Sequence, residues 1–72
     1  MTFGSACRTL FERSGMTQAD FCRASGLSTA YTSMLLSGKV RDPSFEKACI
    51  VADALGVTLE DIRKVMFEEG GR

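Results

Sequence analysis

A chain of 72 residues with 44% hydrophobic side chains and a formal net charge of zero is sized for one small domain with one core. Its composition excludes a membrane span, because no apolar run approaches the roughly 18 residues that cross a bilayer. The start of the chain lacks the basic and apolar regions of a signal peptide. We therefore expect one domain over residues 1–69, a flexible tail over 70–72, and a cytoplasmic protein with no membrane partner.

The first predicted helix has one apolar face. Five apolar residues follow helical spacing on that face: Phe3, Ala6, Cys7, Leu10 and Phe11. The helix is predicted to stop near Ser14-Gly15. The whole chain shows the same helical periodicity and no sustained strand-like alternation, so we expect an all-α domain.

The second and third predicted helices are short and close together. Thr17 and Asp20 form a capping box that opens the second helix, and Gly26 ends it. Its inward residues are predicted to be Ala19, Phe21 and Cys22. Ser28 caps the third helix, which runs to about Ser37, and Gly38 is placed to end it in the left-handed conformation. The three-residue link between these helices predicts a helix-turn-helix.

The fourth and fifth helices are predicted to supply the core behind this turn. The fourth begins at Pro43 with Asp42 as its cap, and Gly56 closes it. Its buried stripe is predicted to be Phe45, Ala48, Cys49, Ala52 and Leu55. The fifth starts at the capping box of Thr58 and Asp61 and runs to about Glu68. Its apolar positions are Leu59, Ile62, Val65 and Met66.

The third helix has a neutral face of small or flexible side chains. At about 100° per residue, that face collects Thr29, Ala30, Ser33, Met34 and Ser37. Tyr31, Thr32 and Leu35 occupy the opposite side, with Leu36 on the boundary. Such a face suits close approach to the DNA major groove, which is about 12 Å wide and admits one helix. An ordinary solvated helix is the alternative, and Met34 alternatively folds partly inward.

The distribution of charge along the chain favours DNA as the partner, although the net charge does not. A net charge of zero and a pI near 6.2 argue against nucleic acid globally. However, residues 1–41 carry a net charge of +3 and residues 42–72 carry −3. Lys39 and Arg41, just beyond the third helix, are placed to reach phosphates. Chance is the alternative explanation of the uneven split.

Catalytic and metal-dependent functions find little support. The chain has three cysteines and no histidine, and no two cysteines have ligand spacing, so we expect three buried thiols, no metal site and no cofactor. No nucleophile motif, phosphate-binding glycine loop or small-molecule site is evident. The paired carboxylates of residues 60–61 and 68–69 are explained by helix-start electrostatics and solvation. We expect the protein not to be an enzyme.

The segment from Met16 to Ile62 resembles the Cro and lambda-repressor (XRE) family of helix-turn-helix transcriptional regulators of prokaryotes and phages. The features that carry the resemblance are Thr17-Gln18, Gly26-Leu27-Ser28, Tyr31, Ser33, Ser37-Gly38-Lys39 and the final ADALGVTLEDI. It implies a compact five-helix lambda-repressor-like DNA-binding domain whose helix-turn-helix is formed by helices 2 and 3. It also implies a repressor that binds a palindromic operator as a dimer, with helix 3 in the major groove.

The resemblance also implies the residues that contact DNA. The positions that would face base edges are Thr29, Ala30, Ser33 and Met34. Those that would contact the backbone are Thr17, Gln18, Ser28, Tyr31, Ser37, Lys39 and Arg41, with Gln18 also bracing the recognition helix. Family members often place Gln, Asn or Arg where this chain has Thr29 and Ala30. Weaker direct readout is therefore expected, with more reliance on apolar contact, water and DNA shape.

Two kinds of protein contact are predicted. The fifth helix has more apolar residues than one core-facing stripe requires, so Val65, Met66 and Phe67 are the predicted homodimer interface, with closure of the core as the alternative. The acidic second half favours a second role, an antitoxin-like or co-regulator module on the same fold that binds a protein partner. These two roles are compatible in one chain.

Overall fold

The structure is a computed structural model that describes residues 2–70, apart from the side chains of residues 69 and 70. Its five helices are α1 (Phe3–Ser14), α2 (Gln18–Ser25), α3 (Thr29–Leu36), α4 (Phe45–Leu55) and α5 (Leu59–Gly70). No strand occurs among residues 2–70. The predicted all-α, five-helix architecture is confirmed. Helix α5 continues past its predicted end to Gly70, and residues 71–72 of the predicted tail lie outside the described part of the chain.

Most helix ends lie where the sequence predicts them. Thr17 and Ser28 are the N-caps of α2 and α3, and each side chain accepts a hydrogen bond from a backbone N–H in the first turn. The predicted reciprocal bonds between Thr58 and Asp61 form at the start of α5. These caps satisfy backbone donors that would otherwise have no partner.

The start of α4 differs from the prediction. Ser44 is the N-cap, its hydroxyl accepts from the backbone N–H of Lys47 at 3.2 Å, and the helix begins at Phe45. Asp42 and Pro43 therefore belong to the preceding loop. Serine and aspartate cap helices about equally well, so the residue types alone did not decide between Asp42 and Ser44.

The core lies between α1, α4 and α5 on one side and the helix-turn-helix on the other. Helix α1 contacts α3, α4 and α5, whereas α2 contacts α3 and α4. The fully buried residues with the largest side chains are Phe21, Leu35, Ile62, Val51, Thr32 and Cys7. The Phe11 and Phe21 rings meet edge to face with centroids 6.1 Å apart, which joins α1 to α2.

Several predicted core positions are wrong. Ala19 is exposed, because it lies two residues from buried Phe21 and so faces nearly the opposite side of α2. Phe45, the first residue of α4, is 75% exposed, although it shares the predicted stripe with buried Ala52 and Leu55. Among the cysteines only Cys7 is fully buried, whereas Cys22 and Cys49 are partly buried and all three thiols are free.

A glycine sets the distance between α1 and the loop after α3. A Cβ atom on Gly4 would lie 2.8 Å from the carbonyl oxygen of Leu35 and 3.0 Å from that of Val40. The Gly4 N–H donates to the Val40 carbonyl at 2.9 Å, and the Thr2 hydroxyl donates to the Gly38 carbonyl at 3.3 Å. The start of α1 thus supports the loop that carries Lys39 and Arg41.

Candidate nucleic-acid interface

The helix-turn-helix is built by α2, a short turn and α3. Gly26 adopts φ 72° and its N–H donates to the carbonyl of Cys22, which ends α2. The Ser25 hydroxyl then accepts from the Leu27 N–H at 3.2 Å, and Ser28 caps α3. These local hydrogen bonds fix the end of α2 and the start of α3 on either side of the turn.

A buried polar contact joins α2 to α3. The Thr32 side chain is fully buried, and its hydroxyl oxygen accepts a hydrogen bond from the Cys22 thiol, with sulfur and oxygen 3.4 Å apart. A buried hydroxyl without a partner would destabilise the fold, so this contact accounts for a polar residue in the core. It also holds the inner face of α3 against α2.

The outer face of α3 matches the predicted one. All five side chains predicted there are exposed, namely those of Thr29, Ala30, Ser33, Met34 and Ser37. Thr32 and Leu35 lie in the interior, and Leu36, which the sequence left on the boundary, is buried. Met34 is 50% exposed, so it does not fold inward. The structure therefore presents a neutral face of short side chains with one thioether.

The loop after α3 holds two exposed cations. The N–H groups of Gly38 and Lys39 donate to the carbonyls of Leu35 and Met34, at 3.1 and 3.2 Å, with Gly38 at φ 85°. This pair of bonds is a Schellman turn, which ends α3 and directs the chain outward. Lys39 and Arg41 are exposed, and no carboxylate among the described side chains, those of residues 2–68, forms an ion pair with either of them.

Tyr31 lies in a groove between α3 and the start of α4. The groove has a volume of about 360 Å³ and is lined by Tyr31, Met34, Val40, Arg41, Asp42, Pro43, Ser44 and Lys47. The ammonium of Lys47 lies 5.0 Å from the centre of the Tyr31 ring. Burial, with a smaller contribution from Cys7, raises the pKa of Tyr31, so its hydroxyl is protonated at neutral pH and can donate a hydrogen bond.

The start of α2 carries balanced charges. The Asp20 carboxylate accepts from the backbone N–H of Thr17 at 3.4 Å. The Thr17 side chain, then this backbone N–H, and to a smaller degree the charge of Arg23 lower the pKa of Asp20. Asp20 is therefore ionised at neutral pH, and it pairs with the Arg23 guanidinium. Gln18, the first residue of α2, is exposed beside this pair.

Two cations near these residues were missed by sequence reasoning. Lys47 reaches Tyr31 across the loop between α3 and α4. Arg8, on α1, lines a second groove of about 320 Å³ whose other walls are Phe11, Glu12, Gln18, Ser33, Leu36 and Ser37. Both positions depend on how separate helices approach one another, and no local motif signals either of them.

The predicted dimer residues on α5 differ in exposure. Val65 is 5% exposed and belongs to the core, and Met66 is partly buried against it. Phe67 is 60% exposed, and the Arg63 guanidinium carbon lies 5.2 Å from the centre of its ring. The surface available on this part of α5 is therefore Phe67 and the exposed portion of Met66, whereas Val65 closes the core.

The described residues hold neither a membrane-spanning helix nor a metal-binding cluster. Within residues 2–70, no helix has both the length and the apolar character needed to cross a bilayer. Among the side chains of residues 2–68, no three cysteine or acidic groups cluster in a way that suits a metal ion.

Comparison with known proteins agrees with this geometry. A family model described as helix-turn-helix matches residues 8–62, which covers most of the chain and contains α2, the turn, α3 and α4 whole. Neither the curated proteins nor the solved structures include a significant match. The family consists of DNA-binding regulators of transcription. The chain therefore belongs to the helix-turn-helix family of Cro and lambda-repressor-like DNA-binding regulators.

Proposed function

We propose that this protein is a transcriptional repressor that binds a palindromic operator as a homodimer, with α3 of each protomer in the major groove. The observation that supports this most directly is the neutral outer face of α3 with the exposed cations Lys39 and Arg41 at its end. A charged face would lose hydration on entering the groove, whereas a short neutral face approaches base edges closely. The protein acts by binding alone and is not an enzyme.

The base contacts in this proposal are few and small. The Thr29 and Ser33 hydroxyls donate to or accept from base edges, and Ala30 and Met34 contact thymine methyl groups. Bidentate contacts, each worth about 1–3 kcal/mol of discrimination, are missing from this face. We therefore propose that DNA shape and bridging water contribute much of the sequence preference.

The backbone contacts in this proposal flank α3 on both sides. Thr17, Gln18 and Ser28 lie on the side of α2, and Tyr31, Ser37, Lys39 and Arg41 lie on the side of the loop. Lys39 and Arg41 supply the positive charge, and the protonated Tyr31 hydroxyl supplies a neutral donor. Affinity should fall with salt in proportion to the number of phosphates neutralised.

A dimer is proposed because one protomer has few cations that can contact phosphates. Two half-sites, about 34 Å apart on the duplex, double the number of phosphates contacted without a new kind of contact. Phe67 and Met66 on α5 are the proposed contact between protomers, because a large exposed aromatic side chain is characteristic of an interface centre. Sedimentation should detect a dimer at micromolar concentrations, weakened by Phe67→Ala.

The experiment for this function is selection of binding sites from random duplexes, followed by sequencing. A palindrome with half-sites about one helical turn apart is expected. Thr29→Gln and Ala30→Arg should each change the selected bases, whereas Lys64→Gln on α5 should leave them unchanged. If no motif is enriched and the variants select the same pool, sequence-specific regulation is wrong. Transcription from a promoter that overlaps the selected site then tests repression.

A protein partner is the second candidate. Phe45 favours it, because this large apolar side chain is 75% exposed and the second half of the chain is acidic. The two candidates separate under Phe45→Ser, which should leave duplex binding intact and weaken capture of a partner protein. The reverse result would assign Phe45 to DNA binding.

A further inference from the structure

We propose that the groove between α1, α2 and α3 receives one sugar-phosphate unit of double-stranded DNA, and that Arg8 is the residue that binds its phosphate. This inference rests on the proposed DNA-binding function. It adds a contact from α1, a helix to which neither the motif nor the resemblance assigns a role in binding.

The position of the groove supports this assignment. Arg8 and Glu12 form its α1 side, and Gln18, Ser33 and Ser37 form much of the remainder. Gln18 and Ser37 are both proposed backbone contacts, and Ser33 is a proposed base contact. A duplex that reaches all three residues passes over the groove and brings a strand to the guanidinium of Arg8.

The chemistry of the groove fits a sugar-phosphate unit. Phe11 and Leu36 provide apolar surface against which a deoxyribose can pack. The rim is polar, with an arginine, an amide and two hydroxyls, which are the groups that donate to phosphate oxygens. An arginine guanidinium matches phosphate in a bidentate way, so Arg8 supplies both charge and orientation.

Glu12 regulates this contact. Its Oε2 atom accepts from the Nε atom of Arg8 at 3.0 Å, across one turn of α1. The guanidinium has two further NH₂ groups that can donate to phosphate while Nε stays with Glu12. The carboxylate orients Arg8 but also repels phosphate, so the groove is close to neutral before DNA arrives and the pair limits non-specific affinity.

The chain contains a matched pair that lies away from this surface. Arg63 and Glu60 on α5 form an ion pair at 3.1 Å, with side chains about as exposed as those of Arg8 and Glu12. Helix α5 lines neither groove described above. Arg63 also lies over Phe67, the proposed dimer contact, so Lys64, one turn after Glu60 on the same helix, is the cation to neutralise in the control.

The experiment measures binding of the whole chain to a labelled mixed-sequence duplex between about 50 and 200 mM salt. Arg8→Gln alone is ambiguous, because it exposes Glu12 to the duplex. The informative comparison is Glu12→Gln against the double variant Arg8→Gln/Glu12→Gln. The control compares Glu60→Gln with Lys64→Gln/Glu60→Gln, and circular dichroism verifies the fold of each variant.

Glu12→Gln should bind several-fold more tightly than the unaltered chain, because a like charge near phosphate is removed. Removing Arg8 from that background should weaken binding about tenfold. It should also reduce the slope of log affinity against log salt by about one per bound chain. Arg8→Lys should keep most of the slope. The α5 pair should change neither quantity.

Two outcomes would overturn the inference in distinguishable ways. If Glu12→Gln and the double variant bind with equal affinity and equal slope, Arg8 does not contact phosphate, although the DNA-binding function stands. If the unaltered chain binds no duplex even at low salt, the proposed function fails and the inference fails with it.

Discussion

The exposed faces of α3 and α5 differ in whether charged side chains surround their exposed apolar residue. Each has one large apolar side chain in solvent, Met34 at 50% and Phe67 at 60% exposure. On α5, Arg63 lies over the Phe67 ring and pairs with Glu60, so charges cover the apolar surface and neutralise one another. On α3 the face around Met34 carries no charge, and the nearest cations lie beyond the end of the helix.

The difference shows how charged side chains cover an exposed apolar residue on one helix of this chain and not on the other. Helix α5 gains its solubility from ion pairs that are each worth little to stability. Helix α3 lacks that covering, although a charged residue at any of its outer positions would be tolerated by the fold. Its neutral face therefore indicates close approach to a partner surface, in agreement with the family assignment.

Reversing the charges beyond the end of α3 should produce the largest change in duplex affinity. Lys39→Glu with Arg41→Glu should weaken duplex binding at least about 100-fold, because two phosphate contacts become repulsive. The salt slope should fall by about two per chain. Lys64→Glu reverses one charge on α5, leaves Arg63 over Phe67 and should alter binding only slightly, with Arg41→Glu alone as its matched comparison. Anisotropy titrations with one duplex measure both variants, and equal losses would mean that net charge alone governs binding.

A second test compares how buried and exposed residues of α3 and α5 contribute to the free energy of unfolding. Leu35→Ala and Ile62→Ala should each lower the free energy of unfolding by about 2–5 kcal/mol, because both side chains are fully or almost fully buried. Met34→Ala and Phe67→Ala should each change it by less than about 0.5 kcal/mol. Urea denaturation measures all four.

The same two surface variants, Met34→Ala and Phe67→Ala, should also differ in their effects on DNA selection and self-association. Met34→Ala should alter the selected base sequence, whereas Phe67→Ala should leave the bases unchanged and weaken self-association. If Phe67→Ala destabilised the fold as much as Ile62→Ala, the residue would belong to the core and the contrast between the two helices would be lost.

A third and smaller test compares the caps of the two helices. Ser28→Ala and Thr58→Ala each remove a hydroxyl that accepts from a backbone N–H at 3.0 Å. Each should cost about 1 kcal/mol of unfolding free energy. Restoration by Ser28→Asp and Thr58→Asp is the control, since aspartate accepts the same hydrogen bond. A loss that aspartate fails to restore would point to packing as its cause.

The smallest expected effect concerns pH. The backbone N–H of Thr58, followed by its hydroxyl, lowers the pKa of Asp61 below its ordinary value of 3.8. Its ionised form therefore stabilises the fold fully above the unfolded-state pKa, and that contribution is lost as the pH falls through the folded-state value. Asp61→Ala should thus destabilise the protein at pH 7 and make little difference near pH 2.

The cap of α3 is the control for this pH dependence, because the first turn of α3 contains no acidic residue. The destabilisation caused by Ser28→Ala should be the same at pH 7 and near pH 2. Denaturation series at the two pH values measure both variants. A destabilisation by Asp61→Ala that did not change with pH would show that the carboxylate charge contributes nothing at this cap.

Local signals in the sequence predicted most of the architecture. The capping boxes at Thr17 and Thr58 and the outer face of α3 were read correctly, because each depends on residues within a few positions of one another. The link of residues 26–28 indicated the helix-turn-helix for the same reason. The start of α4 failed because Asp42 and Ser44 are equivalent caps at this level.

Contacts between helices were beyond sequence reasoning. Arg8 and Lys47 come close to residues of α3 only through the tertiary arrangement of α1 and α4. Gly4 escaped notice because a glycine in a helix has no local signature of close approach. Periodicity predicts Phe45 in the core, yet its side chain is 75% exposed. Each of these features depends on tertiary approach, which one sequence does not specify.

The separation of the two faces of α3 has a consequence for how new specificity can be acquired. Residues 32, 35 and 36 hold the helix in the core, whereas residues 29, 30, 33 and 34 lie outside it. A combinatorial library randomised at the four outer positions should therefore retain folded members at high frequency. The present short side chains form a permissive starting point, from which longer polar residues can be added one at a time to evolve recognition of different operators.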